Sequence, residues 1–208
     1  MKGADRGPAA AFQSLETAWP ELWRRLARAV ADRRSPWHVP VVATVGRAGE
    51  PRARVMVLRG VDAGAARLRL HTDVRAAKVV ELAREPRVAL VFYDAAARLQ
   101  LRLEGEGRVE AEGPLADAAW AASKPFSRRC YTAPQAPGTQ VPGPTSGLPP
   151  ELESREPTWE ESEAGRPHFA VVEVAAQRLE FLFLTVTGHR RGRFERHGDG
   201  WAGRWLVP

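Results

Sequence analysis

The chain has 208 residues, 44% of them hydrophobic and 27% charged, which excludes a disordered chain and supplies ample material for a core. A formal charge of +6 points to an anionic partner, whether a phosphate-bearing ligand, nucleic acid or an acidic surface, although arginine and alanine abound and the charge alone is weak evidence. The single cysteine, Cys130, excludes an intramolecular disulfide and fits a reducing cytoplasm; residues 1–11 lack the apolar run of a signal peptide, and no stretch reads as a membrane span.

Residues 1–8 read as a loose tail. Residues 14–34 read as a helix, with Trp19, Leu22, Trp23, Leu26, Ala27 and Val30 at helical spacing. Pro20 suits its first helical position, after a shorter preceding helix. Its apolar face should lie on the main domain, with Trp19 and Trp23 as anchors. Pro36 and Pro40 end this element. Residues 41–45 and 52–60 read as a hairpin about the turn 46–51, the second strand apolar along its middle and wet at both ends. A third strand follows at 67–72, a short helix at 76–84 stopped by Pro86, and a fourth strand at 87–93. Across 98–112, Leu99, Leu101, Leu103 and Val109 face one way and Gln100, Arg102 and Glu104 the other, with a bend expected at Gly105 or Gly107.

Residues 114–123 read as a helix with Leu115, Ala118, Ala119 and Ala122 as its buried stripe. Residues 125–150 are rich in Pro, Gly, Thr and Gln, the composition of a lid or a disordered segment. An acidic helix at 151–163 precedes a closing antiparallel set at 169–174, 178–184, 191–197 and 201–207. The sum is mainly β (α+β), an antiparallel β-barrel with peripheral helices. Residues 1–35 form a tail and a packed helix; residues 36–208 form the domain.

Within this frame Arg54 and Arg59 bracket Val55-Met-Val-Leu58, while Arg75 and Lys78 lie three apart at a helix start, where backbone N–H groups also face outward. Together the four suit one doubly charged group such as a phosphate. Against this, basic residues at strand ends are ordinarily just solvated. The five histidines show no metal-ligand spacing with Cys130, whose neighbours Arg128 and Arg129 would favour its thiolate, although a lone cysteine is more often inert. No glycine-rich phosphate loop is present.

Several stretches, in order, carry a family resemblance: Val41-Val-Ala-Thr-Val45, Gly49-x-Pro51-x-x-Arg54-Val-Met-Val-Leu-Arg59, Thr72-Asp73, Lys78, Pro86-Arg-Val88, Phe92, Gln100, Leu179-Glu-Phe181, Arg193-Phe194, Trp201 and Leu206-Val-Pro208. This resembles the pyridoxamine 5′-phosphate oxidase superfamily of split β-barrels that bind FMN at a homodimer interface. The resemblance implies cofactor contacts from Arg54, Val55, Met56, Val57, Leu58, Arg59, His71, Thr72, Lys78, Gln100 and Arg193. A family arginine falls on Ala77, leaving Arg75 to stand in for it. Gln100 would meet the flavin ring edge, which presents both donor and acceptor; otherwise it is a solvated outward residue.

The substrate side matches less well. The family's substrate-phosphate set falls on Trp120, Lys124 and Arg128, and its later group on His189, Arg190 and Arg191; its Gln-Ser flavin pair falls near Pro137 and Gly138, and a late tryptophan is Leu182. Trp120 also reads as packing, and the run from His189 to Arg193 as either a second anion site or a solvated hairpin end. The nearer resemblance is to the oxidase-related FMN-binding branch. Three functions compete: an FMN-dependent oxidoreductase acting on a small anionic molecule, a flavin- or haem-binding module without such turnover, and a basic barrel that binds nucleic acid. The last is disfavoured because surface aromatics interleaved with basic residues are sparse.

Overall fold

The computed structural model describes residues 8–208, so the expected tail lies outside the described residues up to residue 7. A short helix α1 (Pro8–Ala11) precedes α2 (Leu15–Ala31). Ser14 caps α2 by accepting from the Thr17 N–H at 3.2 Å. Pro20 lies inside α2 rather than at its start, because the cap sits six residues earlier. The buried face of α2 is Ala18, Leu22, Trp23, Leu26 and Ala29, and it belongs to the main core. Trp19 lies against Phe194 and Trp201, each with ring centres 4.9 Å away.

The barrel has nine strands: β1 (Val41–Val45), β2 (Pro51–Val55), β3 (Leu58–Asp62), β4 (Arg67–Asp73), β5 (Arg87–Asp94), β6 (Leu99–Glu110), β7 (Phe169–Phe183), β8 (Arg190–His197) and β9 (Gly200–Leu206). All pairings are antiparallel, in the order β2-β1-β5-β6-β7-β4-β3, with β8 and β9 continuing from β7. The fold is a split β-barrel. The split is visible on β7: one edge pairs with β6 along its length, while the other gives residues 169–175 to β4 and residues 178–183 to β8. The register shifts between Glu104 and Gly105, where a Cβ on Gly105 would collide with the Ala175 carbonyl, so the expected bend falls there.

Two strand expectations are corrected. Residues 169–183 form one long strand, not two. Residues 52–60 form two strands, not one, and β2 and β3 sit at opposite ends of the sheet order. Pro40 explains the break. It ends β1 and has no N–H, so the β1–β2 ladder stops at Val41–Val55; Met56 N–H still reaches the Pro40 carbonyl at 3.1 Å. Met56 and Val57 then carry the chain across the seam of the barrel. Val55 is exposed and Met56 and Leu58 are buried, so the stretch is not buried evenly along its middle.

The helix α3 (Ala77–Arg84) follows β4. In α4 (Pro114–Ala121) the buried residues are Ala116 and Trp120, with Leu115 and Ala119 partly buried. Ala118 and Ala122 are exposed, contrary to the expected stripe, because the large Trp120 ring sets the inward direction. The Pro/Gly-rich segment holds α5 (Pro125–Arg128), a 3-10 helix continuing from it (Arg129–Thr132) and otherwise irregular chain, and α6 (Trp159–Glu163) is shorter than the acidic helix expected. Among the described residues no helix is long and apolar enough to cross a membrane.

Candidate functional site

The seam at Met56–Val57 opens onto a cleft of about 350 Å³, lined by Arg54 through Val57, Arg59, His71, Thr72, Asp73, Ala76, Lys78, Cys130, Tyr131 and Pro137. Three elements converge there: the β2–β3 crossing, the end of β4 and the first turn of α3. Lys78 reaches Thr72 Oγ1 at 3.2 Å and forms no ion pair among the described residues. Burial, and then the like charge of Arg54, lower its pKa despite the opposing pull of Glu81 and Asp73. An anion in the cleft would relieve both.

Arg54 is aimed from behind. Its Nη2 donates to Glu81 Oε2 at 2.8 Å and its Nη1 to Thr44 Oγ1 at 2.5 Å, while the Thr44 hydroxyl donates to the same carboxylate at 2.5 Å. Glu81 is 5% exposed. A buried carboxylate with two partners fixes the guanidinium and leaves part of its fork for a ligand. No local pattern announces this, since Glu81, Thr44 and Arg54 lie on three separate elements.

Arg59 is exposed, and no partner takes its charge among the described residues. Its neighbour His71 is edge-on to Phe169 at 4.8 Å. Burial, then the charges of Arg59 and Arg69, push the His71 pKa down to about 4, so the ring is neutral near pH 7.

Other expected residues go elsewhere. Arg75 does not line the cleft. It chelates Asp73 through Nε (3.0 Å) and Nη2 (2.7 Å) and donates to the Ala133 (2.9 Å) and Pro134 (3.1 Å) carbonyls. It therefore pins the Pro/Gly-rich segment to the end of β4, which brings Pro137 to the cleft. Gln100 and Arg193 lie on the outward face of β6 and β8. Arg193 and Arg191 both grip Glu180, at 2.8 and 2.7 Å. Burial alone would raise the Glu180 carboxyl; the hydrogen bonds from Arg193 and Arg191 outweigh it and hold the group below its ordinary range.

The expected substrate-phosphate set is not assembled. Arg128 is 3% exposed, and its guanidinium donates to the Trp120 carbonyl at 2.7 and 3.2 Å and to Glu163 at 2.5 Å, stacked between Trp120 and Trp159. Trp120 is buried and donates to Glu163 at 2.9 Å. Lys124 is exposed and does not line the cleft, and exposed His189 accepts from the Thr185 N–H at 3.3 Å. Of the two readings of Cys130, the structure favours the inert thiol over the thiolate. Burial, with Asp73 nearby, pushes the Cys130 thiol up, because Arg128 turns away to Trp120 and Arg129 to the Leu152 and Arg155 carbonyls. Cys130 remains exposed at the rim while its sulfur faces the Ser127 carbonyl at 3.6 Å.

Backbone edges free of the sheet ladders lie beside a desolvated lysine, a threonine hydroxyl and a braced arginine. This donor set suits an elongated cofactor with a phosphate at one end, so fold and cleft define a split-barrel cofactor-binding protein. The sequence pattern of the family described as pyridoxamine 5′-phosphate oxidase, FMN-binding domain, matches residues 19–111. A pyridoxine/pyridoxamine 5′-phosphate oxidase of Myxococcus xanthus is 32% identical over 201 residues, 90% of this chain and 88% of that one. Another, from Arabidopsis thaliana, is 26% identical over 69% of this chain and 72% of its own.

A pyridoxamine 5′-phosphate oxidase-related FMN-binding protein from Nostoc punctiforme shares the fold with a TM-score of 0.70 at 20% identity, covering 91% of this chain and 97% of that one. PhzG from Burkholderia lata, crystallised with tetrahydrophenazine-1-carboxylic acid, gives 0.69 at 20% identity, with 91% of each chain covered. The chain belongs to the pyridoxamine 5′-phosphate oxidase family of FMN-binding proteins, and its cofactor is FMN.

Proposed function

We propose that the protein is an FMN-dependent oxidoreductase acting on a small anionic molecule. The observation that carries this reading is the cleft itself, with Lys78, Thr72 and Arg54 at one end and exposed Arg59 beyond the seam. Bound FMN supplies hydride transfer to or from the substrate. Lys78 and Arg54 would hold the phosphate, Thr72 would orient Lys78, and the Val55–Val57 backbone would line the ring system. His71, neutral near pH 7, adds no charge to the cleft. Arg59 would face the substrate's negative charge.

Gln100 and Arg193 enter this reading through a second copy of the chain. Both sit on the outward face of β6–β8, where Tyr93, opposite Gln100 in the ladder, is 50% exposed. A homodimer covering that face would carry them toward the partner's cleft. A lone cysteine fits a reducing cytoplasm as its compartment.

A second reading has a specific observation behind it. Arg128 and Trp120 are consumed by packing, so the phosphate of a pyridoxamine-type substrate lacks its expected partners. This favours a flavoprotein that does not turn over pyridoxamine phosphate. Anaerobic mixing of the FMN-loaded protein with pyridoxamine phosphate and with other small acids separates the two. Bleaching of the flavin absorbance by another acid but not by pyridoxamine phosphate is expected; bleaching by pyridoxamine phosphate would remove the second reading, and bleaching by none of the acids would remove the first. Failure of FMN to bind at all would end both readings.

A further inference from the structure

The Pro/Gly-rich segment runs past the cofactor cleft and is anchored at two points. At Tyr131 the ring is buried edge-on to Phe169 at 5.1 Å, and the carbonyl accepts from His168 Nδ1 at 2.8 Å. At the far end Leu152 is buried, and the Leu152 and Arg155 carbonyls accept from Arg129 at 3.3 and 3.2 Å. Between these points residues 137–146 are all exposed. Among the described residues, the hydrogen bonds of residues 135–149 are local and reach no further than Glu153. Gly138 at φ 89° and Gly147 at φ 71° bracket the exposed stretch, in the left-handed region that favours glycine.

Arg75 ties this stretch to the barrel. Its Nη1 and Nη2 donate to the Pro134 and Ala133 carbonyls, while Nε and Nη2 hold both oxygens of Asp73. The Arg75 backbone N–H adds a third bond to Asp73 at 2.8 Å. Only a planar, five-donor group can serve the carboxylate and both carbonyls at once. Three residues beyond this clasp, Pro137 lines the cleft.

Asp73 is 8% exposed and lines the same cleft as Lys78 and Arg54. Burial alone would raise its carboxyl, but the Arg75 hydrogen bonds prevail and keep it ionised. By charge, then, Asp73 opposes a phosphate in this cleft. It can favour FMN only through what it holds.

We infer that Arg75 is a positioning residue for the cofactor: clasped by Asp73, it fixes residues 133–137 as a wall of the FMN cleft, and the flavin leaves when this clasp opens. Arg75 does not itself line the cleft and acts through the segment. The inference rests on FMN occupying this cleft, as proposed above. The coupling is reciprocal, so bound FMN protects the segment to the extent that the segment retains FMN.

The test uses the full chain loaded with FMN. Release is followed as recovery of flavin fluorescence on dilution, and segment order as cleavage by proteinase K, with the cuts located by mass spectrometry. In the parent, FMN should slow cleavage within residues 135–149. Arg75→Met should release FMN about tenfold faster, as for a lost charge-assisted bond, and lose that protection. Melting of its apoprotein should change little, since Arg75 is partly exposed. Arg75→Lys keeps the charge without the fork and should fall between the two.

Asp73→Asn separates the clasp from simple charge. Removing a carboxylate from a phosphate site should by charge alone slow release; through the clasp it should hasten it. The Asp73→Asn, Arg75→Met double variant should then release FMN no faster than Arg75→Met alone. Slower release from Asp73→Asn, or parental release from Arg75→Met, overturns the inference while Lys78→Met still weakens FMN. If FMN is indifferent to Lys78→Met as well, the flavin lies elsewhere, and its placement falls together with the clasp.

Discussion

Arg54 and Glu81 meet at 2.8 Å, with the carboxylate buried behind the guanidinium. This pair decides which way the cleft's principal arginine faces. Removing one partner of a buried pair costs roughly 3–5 kcal/mol. Arg54 keeps some solvent contact, so Glu81→Ala should cost about 3 kcal/mol, a fall in Tm of roughly 6–12 °C for a chain of this size. FMN affinity should fall as well, by about tenfold, since the arginine loses its orientation. A variant that melts like the parent and binds FMN equally would show that Arg54 is positioned by something else.

His71 offers a pH test. Its folded pKa, about 4, lies below the ordinary 6.5, so between those values the unfolded chain binds the proton first. The stability linked to the neutral ring is complete above pH 6.5 and is lost as pH falls toward 4. Wild-type apoprotein should therefore lose more Tm across that window than His71→Gln. An NMR titration of the ring with a midpoint near 6.5 would contradict the burial and the nearness of Arg59.

Glu180 behaves as an anchor for charge on the opposite face. Its folded pKa lies below the ordinary 4.5, so its contribution is present above that pH and fades as pH drops through the lowered value. Glu180→Gln should melt lower than the parent at pH 7, with Arg191 and Arg193 released together. The gap should narrow toward pH 3. A gap of constant size across that range would mean that the ion pairs add little.

Arg128 tests packing against recognition. Arg128→Lys removes the paired donation to the Trp120 carbonyl and the flat stacking between Trp120 and Trp159. Thermal stability should drop by the worth of one or two hydrogen bonds, about 1–3 kcal/mol, with FMN affinity unchanged. A loss of small-acid binding with no change in melting would restore the substrate role expected from resemblance.

Much of the fold could be read from residues alone. Period-two alternation placed Leu99, Leu101 and Leu103 in the core, and Gly105 marked the bend. What stayed hidden depends on pairing between distant segments. Nothing local to residues 52–60 announces that Pro40 will end the neighbouring ladder and split the strand at Met56. Alanine spacing says little about the buried stripe of α4, because a single Trp120 chooses the inward side. In the site, Lys78 and Arg54 lie together, but Arg75 is captured by Asp73, two residues away. The bracing of Arg54 by Glu81 and Thr44 becomes visible only when separate elements close on one another.

Recognition of FMN in this cleft depends on basic groups gathering round its phosphate end. The most direct measurement is calorimetric titration of apoprotein with FMN and with riboflavin, which lacks the phosphate, repeated on Arg54→Ala and Lys78→Met. FMN should bind at least about tenfold more tightly than riboflavin, and each substitution should erase most of that difference while leaving riboflavin affinity unchanged. Equal affinity for the two flavins in the parent protein, or a preference for FMN that survives both substitutions, would contradict it.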